Sequence, residues 1–304
     1  MARDGLNREA EKMRAWLLPD VPLATLARRH LPAAVADEWI ALIRPALHLR
    51  PAESGEPEVA RLGGLPALPE HVTWPLWEGH GPLSFVASID CERLPSDALD
   101  IALPAEGILL FFYRHSRWED GTVIESSAPE TQAGARVVYL PPGTQTAERE
   151  PPESTNPYPL VRLAADVIAS GPDWEHPALR AALDRVSDED RAFMDDPMNS
   201  DPFRMAMGEV NLELGPQHRV GGYADPIQGS VEVDVARAQL GGRVAYDDPA
   251  LHEEAQRWTL LAQIDSDDNA DMVWGDRGAL YWLIRRKDLA AERWQAASFT
   301  WQCY

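Results

Sequence analysis

The chain has 304 residues, with 28 basic against 49 acidic side chains, a net charge of −21, and 45% hydrophobic residues including eleven Trp. A field of that sign repels phosphate backbones and argues against nucleic-acid binding, while the apolar content supports a large core. No apolar run reaches the ~18 residues that a membrane span needs, so no membrane partner is expected.

In chain order, residues 5–18 read as a helix, with Leu6, Met13, Trp16 and Leu17 near one face and Pro19 as the stop. That opening lacks the apolar stretch and cleavage site of a signal peptide, so a cytoplasmic location is expected. A second helix is expected over 33–49, kinked or shortened by Pro45. The stretch "RPAESGEPE" (50–58) reads as a linker. Residues 1–58 therefore read as an N-terminal helical extension, and 59–304 as the main domain.

Residues 59–82 hold prolines and glycines around Trp74 and Trp77, and read as an irregular packed segment. Strands are expected at 83–90, 107–113 and 135–140, then a long surface loop over 141–159. "LVRLAADVI" (160–168) fits strand or helix. Helices follow at 176–195, 201–209, 231–240 and 248–256, and strands at 257–265, 278–284 and 298–304. "LSFVASID" and "TLLAQID" echo each other, each followed by a loop and a Gly-led strand, "GILLFFY" and "GALYWLI". The expected class is α+β: a mixed, largely antiparallel sheet with a partly duplicated strand-loop-strand unit, plus N-terminal helices. The two acidic loop tips of that unit are expected beside one cavity.

Common catalytic signatures are missing. Lys12 and Lys287 are the only lysines, and neither follows a Gly-rich phosphate loop. GxSxG, HExxH and GxGxxG are absent. Cys91 and Cys303 carry no metal or nucleophile spacing and read as small hydrophobes.

The acidic loop 265–276 is the main candidate site. Asp265, Asp267, Asn269, Asp271 and Asp276 fall at positions 1, 3, 5, 7 and 12, the alternation by which a tight loop converges on Ca²⁺ or Mg²⁺. Ala270 stands where an EF-hand needs Gly, and the flanks read as strands, so a looser oxygen site or a solvated turn are the alternatives. Asp276, between Gly275 and Gly278, either shapes that turn or meets a ligand. "HRVGGYADPIQ" offers His218 as base or ligand, Gly221 and Gly222 for close backbone approach, and Tyr223 and Gln228 as contacts. Trp74 either lines a cleft or packs in the core.

The segments "GGLPALPEHVTWP", "GPLSFVASID", "LPAEGILLFFY", "HRVGGYADPIQ", "LLAQIDSDDNADMVWGDRGALYWLI" and the closing "QCY" together resemble the YwqG-like family, a bacterial family of unknown function. The resemblance covers roughly residues 59–304 and implies a mixed α+β fold with a partly duplicated core, and no established reaction. Some members sit near secreted-toxin systems, which implies an immunity-type setting. Two functions remain open from the residues. One is an acidic interaction module for a basic protein partner, of the immunity or stress-accessory kind. The other is a small-ligand or divalent-cation-dependent enzyme with a cleft between the echoed hairpins.

Overall fold

The computed structural model describes residues 22–114, 123–153 and 155–304. The helix expected over 5–18 lies outside them. Helices α1 (Pro22–His30) and α2 (Ala33–Ala41) come first, and the second stops far short of residue 49. Residues Arg44–Pro51 form strand β1 instead. A proline lacks the N–H a helix interior requires and biases its predecessor toward extended backbone, so Pro45 ends the helix rather than kinking it. β1 pairs with β11 only over Leu47–Leu49, between Pro45 and Pro51. The helical extension drawn to residue 58 thus contributes a central strand, and its boundary falls between two strands of one sheet.

The remaining strands are β2 (Ala60–Leu62), β3 (Ala67–Leu68), β4 (Leu76–Trp77), β5 (Gly81–Pro82), β6 (Ser84–Asp90), β7 (Ile108–Tyr113), β8 (Ala135–Leu140) and β9 (Ala147–Glu148). Then come β10 (Val161–Ser170), β11 (His218–Val220), β12 (Trp258–Asp265), β13 (Ala279–Arg285) and β14 (Ser298–Gln302). The sequence left 160–168 open between helix and strand; it is the ten-residue strand β10. The helix expected over 176–195 is two, α3 (Pro177–Leu183) and α4 (Asp188–Asp195), separated where Ser187 caps the second. Helix α5 runs over Pro197–Leu214, capped by Asp196 and stopped at Gly215, whose φ is 80°. Helices α6 (Val231–Gln239), α7 (Pro249–Ala255) and α8 (Arg286–Leu289) complete the set among the described residues.

Ten strands form one sheet in the order β14-β13-β12-β11-β1-β10-β2-β6-β7-β8, with every pairing antiparallel. The sheet divides into two equivalent halves, β1-β2-β6-β7-β8 and β10-β11-β12-β13-β14. Each half's first strand lies against the other half's second, so the halves are interleaved at the centre. Registers agree position by position. Arg61 pairs with Ser88 where Arg219 pairs with Gln263, and Asp90 with Ile108 where Asp265 pairs with Ala279. Both hairpins carry a bulge at the same point, beside Val86 and beside Leu261. β2 and β11 are also both followed by a Gly pair in the left-handed region, Gly63-Gly64 and Gly221-Gly222.

The sheet folds over so that its halves face each other. Phe111 of β7 meets Trp282 of β13 at 5.2 Å, and Tyr113 stacks on Phe299 of β14 at 5.0 Å. On β13, Leu280, Trp282 and Ile284 face this interior. The alternate Ala279, Tyr281 and Leu283 face α6 and α7, the two-sided burial that makes the strand continuously apolar. Helices α1–α5 form a separate core around Trp39, Leu179 and Phe203.

β6 and β12 are linked by the antiparallel steps β6-β2-β10-β1-β11-β12, an odd number, so they run in opposite directions. The loops after Asp90 and Asp265 therefore leave the sheet oppositely. This overturns the expected shared cavity: Asp97–Asp100 line one hollow and Asp265, Ser266 and Asp276 another.

Candidate functional site

A cavity of ≈1120 Å³ lies between α5, the turn after β10, the loop after β11 and the start of the acidic loop. Neighbouring side chains on a strand point to opposite faces. Accordingly Arg219 lines this cavity and His218 does not.

A buried polar network builds the wall. Arg219, 4% exposed, donates through Nε to Gln217 Oε1, through Nη1 to the Tyr223 carbonyl and through Nη2 to Asn211 Oδ1. Gln217 Nε2 donates to the carbonyls of Asn211 and Gly215, tying the end of α5 to β11. Asn211 Nδ2 donates to Asp225 Oδ1 at 2.7 Å. The Asp225 backbone N–H donates to Gln263 Oε1, and the Tyr281 hydroxyl donates to the Asp225 carbonyl. Gln302 Oε1 accepts from the N–H groups of Ile227 and Gln228, while its Nε2 donates to Gly229 O and Asp234 Oδ2. Loop 225–229 is thereby held by three buried side chains from β12, β13 and β14, with the Asp225 carboxylate at the cavity wall.

The cavity's charge is negative. Asp173, Glu175, Asp225, Asp265 and Asp276 line it. Its arginines are committed: Arg219 to the network above, Arg277 to Asp268 at 3.1 Å and Arg204 to Asp201 at 3.1 Å. Burial, followed by the Glu232 charge, pushes Asp173 up to about 7. Burial also raises Asp265, against the backbone amides of Gln217 and Ser266 that its two oxygens accept.

His218 sits on the far side of β11, 1% exposed. Its Nδ1 accepts from the Asp265 N–H at 3.1 Å, which assigns the ring proton to Nε2, and Nε2 donates to Asp267 Oδ2 at 3.2 Å. This hydrogen bond is the first cause that holds Asp267 below its ordinary carboxylate range. Both ring nitrogens are used, and His218 braces the acidic loop.

Asp267 Oδ1 also accepts from the Asn269 backbone and side-chain amides, capping the turn Asp268–Ala270. Asp271 closes that turn in the left-handed region at φ 52°. Of the four aspartates expected to share Ca²⁺ or Mg²⁺, Asp265 accepts from backbone amides, Asp267 from His218 and Asn269, Asp271 closes the turn, and Asp276 is exposed at the cavity. Among the described residues no three His, Cys, Asp or Glu side chains converge as an ion would require.

The other expected residues are scattered. A Cβ on Gly222 would lie 2.5 Å from Ala46 Cβ, and one on Gly221 3.2 Å from Ile101 Cδ1, so both glycines serve chain packing. Tyr223 faces the second hollow, its ring 3.6 Å below the Arg44 guanidinium. Gln228 and Asp276 are exposed at the first cavity. Trp74 donates to the Leu83 carbonyl and meets Phe112 edge-on, as a packing residue.

Sequence reasoning missed Asn211, Gln217, Arg219, Asp225, Gln263 and Gln302. A signal existed in the equivalence of the halves. Gln217, His218, Gln263, Tyr281 and Gln302 correspond in register to Val59, Ala60, Ser88, Leu110 and Leu140. The first half builds the same ribbon with small or apolar residues at these places.

No curated protein matches the chain. A family described as a domain of unknown function (DUF1963) matches residues 60–303, four-fifths of the chain and nearly all of both sheet halves, and the chain belongs to that family.

Proposed function

We propose that this chain is a binding protein for a basic partner and that the cavity takes a cationic side chain, a guanidinium or an amine. The observation that carries the reading is the excess of acid at the cavity: Glu175, Asp225, Asp265 and Asp276 line it beside Asp173, which burial keeps partly protonated near neutrality, while Arg204 and Arg277 are ion-paired and Arg219 is, among the described residues, the one lining cation bonded to neutral groups. A cation entering there gains attraction in a partly desolvated setting without displacing an existing ion pair. The equivalence of the halves supports a role beyond folding, because Val59, Leu110 and Leu140 serve where Gln217, Tyr281 and Gln302 stand. The network fixes Asp225 rather than merely completing a core. The net charge of −21 would speed encounter with such a partner. The YwqG-like resemblance agrees with a cytoplasmic immunity or stress-accessory role, and the halves with an ancestral duplication.

Calorimetric titration with arginine methyl ester tests this. Binding that weakens about tenfold in Asp225→Asn is expected, a loss of ~1.4 kcal/mol. No heat from the wild type, or equal affinity in the variant, would sink the reading. Ca²⁺ and Mg²⁺ titrated alongside separate it from the divalent-cation alternative, since saturable heat from either ion and none from the ester would favour the latter.

A further inference from the structure

Helix α5 is apolar on two opposite faces. Phe203, Met207 and Val210 pack inward against the helical core. Met198, Met205 and Leu212 point outward, 84%, 68% and 80% exposed. Their spacing of seven residues keeps them on one line along the helix, about 21 Å from end to end at 1.5 Å per residue. An amphipathic surface helix has one apolar stripe, facing the core. The outer stripe has no structural task among the described residues, and a line of large apolar side chains left exposed on one helix face suits an interaction surface.

We infer that this stripe docks an amphipathic helix of the basic partner, one with apolar residues at heptad spacing flanked by Lys or Arg. The inference rests on the reading that the partner is basic. The flanks supply the charge argument: Glu209 and Glu213 border the stripe and Asp196 lies at its N-terminal end, while Asp201 and Asp195 beside them are held by Arg204 and Arg180. A second copy of the chain fits poorly. Antiparallel pairing about Met205 offers Glu209 only an Asp201 already held by Arg204, and parallel pairing sets each acid against itself. Lysines or arginines flanking the partner's seam would meet those acids with opposite charge. Two of the three outward residues are methionines, whose flexible thioethers adapt to varied apolar partners. The inner face of the same helix carries Asn211 of the cavity wall, so a partner on α5 lies beside the cavity.

Fluorescence anisotropy with a labelled 21-residue peptide tests the inference. The peptide has leucine at every a and d heptad position and lysine elsewhere; a scrambled peptide of identical composition is the control. The patterned peptide is expected to bind at least about tenfold tighter than the scrambled one, and the triple variant Met198→Gln, Met205→Gln, Leu212→Gln to lose that advantage. The variant's melting temperature should stay within about 2 °C of wild type, as for exposed sites. Equal binding of both peptides, or an unchanged preference in the variant, overturns the inference. A dimer of the wild type that the variant abolishes would assign the stripe to a second copy. A large fall in melting temperature would assign it to a segment of the same chain. The arginine methyl ester titration uses neither the peptide nor the stripe, so the cavity reading stands or fails separately.

Discussion

His218→Ala separates bracing from chemistry at the residue that looked most catalytic in the sequence. The ring links two neighbours, accepting from the Asp265 N–H and donating to Asp267, which is itself 1% exposed. Removing a neutral donor from a buried carboxylate costs about 1.5–3 kcal/mol, the value of a hydrogen bond to a charged group. Asp267 keeps its two bonds from Asn269, which favours the lower end. The orphaned Asp265 N–H adds roughly 1–3 kcal/mol, for a total of about 3–5 kcal/mol. With an unfolding entropy of ~2.1 cal/mol/K per residue, a chain of 304 residues shifts about 1.6 °C per kcal/mol, so the melting temperature should fall roughly 5–8 °C. Thermal unfolding followed by circular dichroism at pH 7 reads this directly. Adding Asp267→Asn removes the stranded charge and should recover part of the loss. The pH dependence has a definite sign. Asp267 is lowered in the fold, so its stabilisation is present above its unfolded value near 4 and is lost as pH falls through the lower folded value. The His218→Ala deficit should therefore shrink below about pH 4. Affinity for arginine methyl ester should be unchanged where the variant is folded. A variant that melts with wild type yet no longer binds would refute the bracing role.

Three further outcomes follow from the geometry. Gly222→Ala meets Ala46 Cβ at 2.5 Å with φ 63°, combining a left-handed penalty of ~1 kcal/mol with overpacking of ~1–3 kcal/mol, whereas Gly79→Ala has open space and only the first cost. Equal melting losses in the two variants would contradict this. Asp173, raised to about 7 by burial and then Glu232, binds more protons folded than unfolded, so it makes stability decline as pH rises from about 4 to 7. Asp173→Asn should exceed wild type in urea midpoint by a margin that widens from pH 5 to pH 8; a margin that narrows or reverses refutes the assignment. Ending the chain at residue 297 removes β14, with buried Phe299 and Gln302, and should abolish the cooperative melt; a truncated chain melting as wild type would refute this.

The strands were legible where burial on both faces leaves long apolar runs, as in "GILLFFY" and "GALYWLI". The echo between them reported a real correspondence in register. β1 was not legible, because "RPALHLRP" continues a helical spacing of apolar residues and only its place between β10 and β11 makes it a strand. Strand direction was equally hidden. The echoed loops look alike in sequence, but whether they meet depends on how many antiparallel steps separate β6 from β12. The site fared worst because the Asp cluster drew attention to turn chemistry. Asp267 and Asp271 shape the loop, while the cavity is walled by amides such as Asn211, Gln217 and Gln263, which carry no linear signature.

The interleaved halves explain where such a site can arise. Exchange of first strands fixes β1 and β10 at the centre, so each half is held by the other and not by its own outer residues alone. The fold-over interface draws on the apolar residues of β6 and β7 against those of β13 and β14. With that core secured, the outer face of the second half has room for polar substitutions that the first half's Val59, Leu110 and Leu140 show to be unnecessary for the ribbon. Burying Gln217, Arg219, Gln263 and Gln302 costs desolvation free energy, which their mutual bonds offset only when every partner is present. A network of that kind is rigid. It holds Asp225 in one position from three directions, which is the preorganisation that a site for a single cationic group requires.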